Sequence, residues 1–166
     1  MVINDVVLSL GSNLGNREEN IDFAVQQLEN YFNTEVSSSS IYETQPWGFE
    51  TENLFLNSCV VFKTSESPET ILKVLKEIEI EMGRVKKSQK NEYFSRVIDL
   101  DILYVGNQII NTSELVVPHP LLYERSFVLV PLLELLPNFV DPVKKQKISV
   151  LKSYLNDHKD VILYRQ

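Results

Sequence analysis

The ten residues from Arg96 to Val105, Arg-Val-Ile-Asp-Leu-Asp-Ile-Leu-Tyr-Val, constrain the fold more than any other part of this chain. β-Branched and large apolar residues dominate them and Gly106-Asn107 follows as a turn signal, so a β-strand is expected. Alternation along a strand puts Asp99 and Asp101 on one face, roughly 6–7 Å apart along the backbone. It sends Ile98, Leu100 and Ile102 to the other face, into core. A pair of bare carboxylates on a half-buried strand is costly unless something positive compensates it. Arg96 stands at the strand's N-terminal edge, and the loop before it is the most basic part of the chain. Residues 84–96 carry five basic side chains (Arg84, Lys86, Lys87, Lys90, Arg96) against one acid, Glu92, a local net of +4 that leaves −11 for the remainder of a chain whose total is −7. Paired carboxylates beside a basic loop suit a divalent cation carrying a polyphosphate. Taken singly, the same features also fit a solvated loop and carboxylates paired to Arg96.

Composition narrows the class. A length of 166 residues with 43% hydrophobic and 23% charged content suits a single domain, residues 1–166, with a sizeable core. The lone cysteine, Cys59, excludes an intramolecular disulfide framework. Asp5 interrupts the N-terminal apolar run with no basic segment before it, so no secretory signal is expected. The longest apolar run, residues 127–133, contains Pro131 and is far below membrane-span length. A cytoplasmic monomer with no membrane partner is the expectation. An acidic chain with one local basic loop is a poor nucleic-acid binder and a better trap for a small anion.

In chain order, residues 6–10 form a short strand ending in the turn-rich segment Gly11-Ser12-Asn13-Leu14-Gly15-Asn16. That segment lacks the glycine spacing of a phosphate-binding loop and reads as a structural turn. Asn16 with Glu19 opens an amphipathic helix over residues 17–32, whose apolar stripe is Ile21, Val25, Leu28 and Phe32. Residues 36–42 make a second strand with an exposed serine run. Residues 43–53 form a long connection bearing Pro46, the only tryptophan, Trp47, and Gly48. Residues 54–64 make a third strand that carries Phe55 and Asn57 on one face, where they fit either a planar heterocycle or a satisfied sheet edge. Ser67-Pro68-Glu69 starts a second helix, with Ile71, Leu75, Ile78 and Met82 as its buried stripe and Gly83 as its stop. After the aspartate strand come a hairpin across Gly106-Asn107 to Ile110, the segment Pro118-His119-Pro120, and a buried helix over residues 126–136 with Pro131 near its first turn. A short helix at 149–156 and a strand at 161–164 end the chain. The order β-α-β-β-α-β implies a ferredoxin-like α+β fold: a mainly antiparallel sheet with packed helices and a helical C-terminal part. That topology hosts many functions and selects none.

Read together, the motifs are more specific. Gly11-Ser12-Asn13-Leu14-Gly15-Asn16, Tyr42-x-Thr44-x-Pro46, Phe55-Leu56-Asn57, Glu79-x-x-x-Gly83-Arg84, Arg96-x-x-Asp99-Leu100-Asp101-Ile102 and Pro118-His119-Pro120 followed by Arg125-x-Phe127 occur in that order. Together they closely resemble the 6-hydroxymethyl-7,8-dihydropterin pyrophosphokinase family of folate biosynthesis, over about residues 6–136. The resemblance implies transfer of an intact diphosphate from ATP to the hydroxymethyl group of a reduced pterin, with release of AMP. It implies two Mg²⁺ ions held by Asp99 and Asp101, in keeping with the preference of Mg²⁺ for a few carboxylates plus phosphate oxygens. Arg84 and Arg96 match phosphate-binding, catalytic arginines. Glu79, Lys86, Ile102, His119 and Arg125 match the ATP side. On the pterin side the resemblance implies a stack between Phe55 and Phe127, hydrogen bonding by Asn57 and by the segment Thr44, Gln45 and Trp47, and a contact from Asp99. Loops 43–53 and 84–96 match loops that close over both substrates. The chain differs from many members in Tyr93-Phe94-Ser95, in Lys86 where arginine is frequent, and in Gln45 where proline is common. Two other readings stay open on the residues alone: a non-catalytic ferredoxin-like module that binds a small molecule, and a kinase that passes a single phosphoryl group.

Overall fold

The middle of the first strand, residues 6–10, is buried throughout, with apolar side chains on both of its faces. A computed structural model describes residues 1–48, 50–83, 95–155 and 160–166. Its first strand, β1 (Asn4–Ser12), lies between β4 (Phe55–Thr64) and β5 (Asp99–Val105) and is antiparallel to both. Val6, Leu8 and Leu10 enter one core and Val7 enters the other. β3 (Ile41–Thr44) extends the sheet beyond β4, giving the order β5-β1-β4-β3 for the βαββαβ unit, which is the ferredoxin-like arrangement. A C-terminal strand, β8 (Ile162–Arg165), pairs with the outer side of β3.

The two helices of that unit begin where local chemistry dictates. In α1 (Arg17–Phe32) the Asn16 side chain accepts from the Glu19 N–H at 3.4 Å. In α2 (Pro68–Glu81) Ser67 caps the Thr70 N–H, and Pro68 occupies the first turn, where its missing donor costs nothing. Gly83, at φ +99°, turns the chain out of α2 in a conformation that other residues rarely adopt. Ile21, Ala24 and Leu28 of α1 and Ile71, Leu75 and Ile78 of α2 pack on one sheet face together with Leu56, Val60, Leu100 and Ile102.

The opposite face is covered at one end by α3 (Ser126–Leu135) and α4 (Ile148–Ser153), which bury Val7, Cys59, Leu103 and Tyr104. Between Val7 and Leu8 the register with β5 slips: Val7 faces Tyr104 and Leu8 faces Ile102. Leu103 is thus the extra residue of a β-bulge, which lets Leu103 and Tyr104 both enter the second core. Fully buried Asp141 locks this layer, accepting from the hydroxyls of Tyr104 (2.6 Å) and Tyr123 (2.8 Å) and from the N–H groups of Val143 and Lys144. Toward the C-terminal ends of β1 and β3 and the N-terminal ends of β4 and β5, the same face opens into one cleft, and a second is bordered by β5 and α2.

Some boundaries differ from those expected. The second strand is split into β2 (Ser37–Ser38) and β3, because Ser39 turns inward. Its N–H donates to the Cys59 carbonyl and its hydroxyl accepts from the Cys59 N–H at 2.9 Å. The expected hairpin partner of β5 pairs elsewhere. β6 (Ile110–Asn111) pairs with β7 (Val116–Val117) as a separate two-stranded ribbon, although Gln108 N–H to Val105 O closes the predicted turn. Pro131 is the sixth residue of α3, buried within it and not near its first turn.

Candidate active site

The strand register builds the floor of the site. Gly11 faces Asp99 on one side and Asn57 on the other, while Ser9 faces Asp101 and Cys59. Small residues at positions 9 and 11 therefore leave room above the central strand, between the two aspartates and Asn57. A Cβ on Gly11 would stand 3.5 Å from Asn57 Oδ1 and 3.7 Å from Phe55, so anything longer would fill that space. The predicted parity holds: Asp99 and Asp101 face the cleft, whereas Ile98, Leu100 and Ile102 are core. Ile102 lies in the α1–α2 core and lines neither cavity described below, whereas Leu100, of the same parity, borders the second.

Cations meet these carboxylates from both sides. Arg96 Nη1 lies 2.6 Å from Asp99 Oδ1, and Arg125 Nη1 lies 3.9 Å from Asp101 Oδ2. Burial first, then the Asp99 charge, raises Asp101 well above the ordinary carboxylate range, against the pull of Arg125. His119 is pinned to β5 by its N–H, which donates to Leu103 O, and its Nδ1 accepts from the Leu121 N–H at 3.1 Å. That leaves Nε2, 4.0 Å from Asp101 Oδ2, as the nitrogen that carries the hydrogen of the neutral ring. Desolvation first and Arg125 second lower His119 to about 4. At neutral pH it is an uncharged donor facing the carboxylate pair.

Two cavities open from this charged cluster, and both are lined by Arg96, Asp99, Asp101 and Arg125. The first adds Thr44, Gln45, Trp47, Phe55, Asn57 and Phe127. The buried Asn57 amide donates to Thr44 Oγ1 at 2.7 Å, which leaves its oxygen over Gly11 as an acceptor for the cavity. Trp47 tilts against Phe127 with ring centroids 6.5 Å apart, and the Arg125 guanidinium lies 4.7 Å over the Trp47 ring. Flat walls with a few fixed polar groups suit a planar polar heterocycle. The second cavity adds Leu72, Leu75, Lys76, Glu79, Leu100, His119, Pro120 and Leu121. Glu79 is buried, and its Oε1 accepts from the Leu100 N–H at 2.9 Å, so it holds the strand between the two aspartates.

The structure thus brings together Thr44, Gln45, Trp47, Phe55, Asn57, Glu79, Arg96, Asp99, Asp101, His119, Arg125 and Phe127. Arg84, Lys86, Tyr93 and Phe94 lie outside the described residues, as does most of loop 84–96. Asn13, which the sequence places in a turn and in the first of the family-like motifs without a role of its own, holds the loop before β5. Its Oδ1 accepts from the Arg96 N–H at 2.6 Å, its Nδ2 donates to Ser95 Oγ at 3.0 Å, and its own N–H donates to Arg96 O. Lys76, in the second cavity, also carried no sequence signal beyond its place on α2.

Among the described residues no cluster of three or more His, Cys, Asp or Glu side chains could cage a metal. A pair of hard oxygen donors on one strand face, with space around it, fits a cation that completes its shell with phosphate oxygens.

Fold and site describe a class: a ferredoxin-like α+β domain in which a carboxylate pair, flanked by arginines and a neutral histidine, lies between two cavities. The sequence places the chain within that class. The profile of the 7,8-dihydro-6-hydroxymethylpterin-pyrophosphokinase (HPPK) family matches residues 7–137, and the chain belongs to that family. It is 39% identical over 147 residues to the 2-amino-4-hydroxy-6-hydroxymethyldihydropteridine pyrophosphokinase of Aquifex aeolicus, covering 89% of each chain. With the enzyme of the same name from Bacillus subtilis the identity is 43% over 133 residues, covering 80% of this chain and 78% of the relative. A solved HPPK-DHPS structure from Plasmodium falciparum superposes with a TM-score of 0.72 at 18% identity, which bears on the fold alone. The match covers 92% of this chain and 42% of that one.

Proposed function

We propose that this chain transfers the β,γ-diphosphate of ATP, as a unit, to the hydroxymethyl oxygen of 6-hydroxymethyl-7,8-dihydropterin, releasing AMP, as a step of folate biosynthesis. The observation that carries the reading is the sharing of Arg96, Asp99, Asp101 and Arg125 by two cavities of different character. A flat polar acceptor in one and a nucleotide in the other would meet over the carboxylate pair.

Each part of the chain has a role in that reading. Phe55, Phe127 and Trp47 hold the pterin plane, and Asn57, fixed by Thr44, reads its hydrogen-bonding edge alongside Gln45 and Asp99. A buried edge of this kind discriminates strongly against analogues lacking the matching groups. Leu72, Leu75 and Lys76 line the nucleotide side. Arg96, Arg125 and the Nε2–H of His119 offset negative charge on the bridging oxygen as its bond to the β-phosphorus breaks and the pterin oxygen takes its place. Such charge stabilisation carries most of phosphoryl-type catalysis. Asp99 and Asp101 would hold Mg²⁺, two ions in this reading. Bound there, the cations would neutralise phosphate charge and align attacking and leaving oxygens. Arg84 and Lys86 belong to the same phosphate side in this reading. The working form is a cytoplasmic monomer whose partners are its two small substrates. The nucleotide product tests the reading: AMP supports it, whereas ADP marks a single-phosphoryl kinase and no turnover marks a binding module.

A further inference from the structure

One guanidinium nitrogen ties together the two stems of the loop that carries Gln45 and Trp47. Arg17, the first residue of α1, donates from Nη1 to Glu43 Oε2 at 2.9 Å and to the carbonyl of Leu54 at 3.0 Å. Glu43 immediately precedes Thr44 at the end of β3, and Leu54 immediately precedes Phe55 at the start of β4. The connection 45–53 therefore leaves and re-enters the sheet at two points joined by Arg17. The residues just inside those points, Thr44, Gln45 and Phe55, line the first cavity.

Arg17 is itself held from behind. Its guanidinium carbon lies 5.9 Å from the centre of the Tyr164 ring on β8. β8 is fastened to α1 through Arg165, which pairs with Glu18 and, at 2.6 Å, with Asp22 Oδ1. It is also fastened to β3, where Ile162 sits opposite Glu43. The family profile ends at residue 137, so β8 lies outside the matched region. Neither Arg17 nor Tyr164 lines the first cavity, and neither was singled out by its sequence context.

We infer that Arg17, backed by the C-terminal strand, is a positioning residue for the acceptor half of the site: it sets the loop stems so that Gln45, Trp47 and Phe55 meet a flat heterocycle. Partly buried charge-assisted hydrogen bonds to two separate chain segments fix both position and direction. The inference rests on the pterin occupying the Asn57–Phe127 cavity, as proposed above. The nucleotide cavity shares no wall with Arg17, so the effect belongs to one substrate only.

Binding of 6-hydroxymethyl-7,8-dihydropterin and of a non-hydrolysable ATP analogue, each followed by calorimetry, tests it. Arg17→Met is expected to weaken pterin binding on the order of tenfold, the scale of displaced contacts within a site, and to leave the nucleotide affinity unchanged. Glu43→Ala should act in the same direction, and the double variant should lose no more than the worse single, since both remove one link. Arg17→Lys, which keeps the charge and N–H donors on a single nitrogen but loses the guanidinium fork, should recover part of the loss and guards against a variant that fails to fold. Tyr164→Ala should give a smaller loss of the same kind. A thermal-melting decrease with unchanged pterin affinity would make Arg17 merely structural and overturn the inference, as would equal losses for both ligands. Asn57→Ala separates the two levels. If it leaves pterin binding intact, the cavity assignment fails; if it weakens binding while Arg17→Met does not, only the role of Arg17 fails.

Discussion

Glu79 of α2 accepts the backbone N–H of Leu100, the residue that separates Asp99 from Asp101, at 2.9 Å. β5 is the last strand of the sheet on that side, so the amide that points away from β1 needs a partner from elsewhere. A buried carboxylate from the neighbouring helix supplies it. Removing it strands a buried donor, which costs about 1–3 kcal/mol. Glu79→Ala is therefore expected to lower unfolding free energy in urea by that order and to lower turnover as well, whereas Glu79→Gln keeps an acceptor and most of both. Equal stability of the Ala and Gln variants would show that the contact is dispensable.

His119 predicts a pH dependence of stability in the ligand-free protein. Its folded value of about 4 lies below the ordinary 6.5, through burial and then through Arg125. Between those values the unfolded chain binds a proton that the folded chain does not. Stability then rises with pH across the window and is lost as pH falls from about 6.5 toward about 4. His119→Asn, which keeps an acceptor for the Leu121 N–H, should flatten the slope of melting temperature against pH in that window. An unchanged slope would place the titration elsewhere.

Asp101 carries the complementary expectation for the cation. In the ligand-free protein it is held up to about 7, by desolvation first and by Asp99 second. Its protonated form gains weight as pH falls through that value, so a cation that takes the carboxylate must release the proton. Mg²⁺ affinity should weaken from about pH 8 to about pH 6, with proton release seen as different calorimetric heats in buffers of unlike ionisation enthalpy. Identical heats and a flat affinity would count against Asp101 as a ligand.

Much of the fold was legible because its signals are local. The caps at Asn16 and Ser67 are set by neighbouring residues, and both helices start where those residues place them. The common face of Asp99 and Asp101 follows from the period of a strand. Several features that local sequence does not encode come from contacts between distant residues. Ser39 breaks the second strand to reach Cys59, and Asn13 reaches across more than eighty residues to Ser95 and Arg96. The ribbon of β6 and β7 displaced the expected hairpin because a two-residue strand has too little pattern to choose its partner. Within the site, the rows through Gly11 and Ser9 and the stack of Arg125 on Trp47 depend on register and tertiary packing, which no single segment encodes.

In the proposed function the two cavities bring a nucleotide and a pterin together for transfer of a diphosphate. Incubating the protein with γ-labelled ATP, Mg²⁺ and 6-hydroxymethyl-7,8-dihydropterin, then separating the products, tests it most directly. AMP is expected in equal amount with a pterin ester that carries the label in a diphosphate, with no AMP from Asp101→Ala, whose fold is retained by its melting curve. ADP with a pterin monophosphate, or intact ATP, would contradict it.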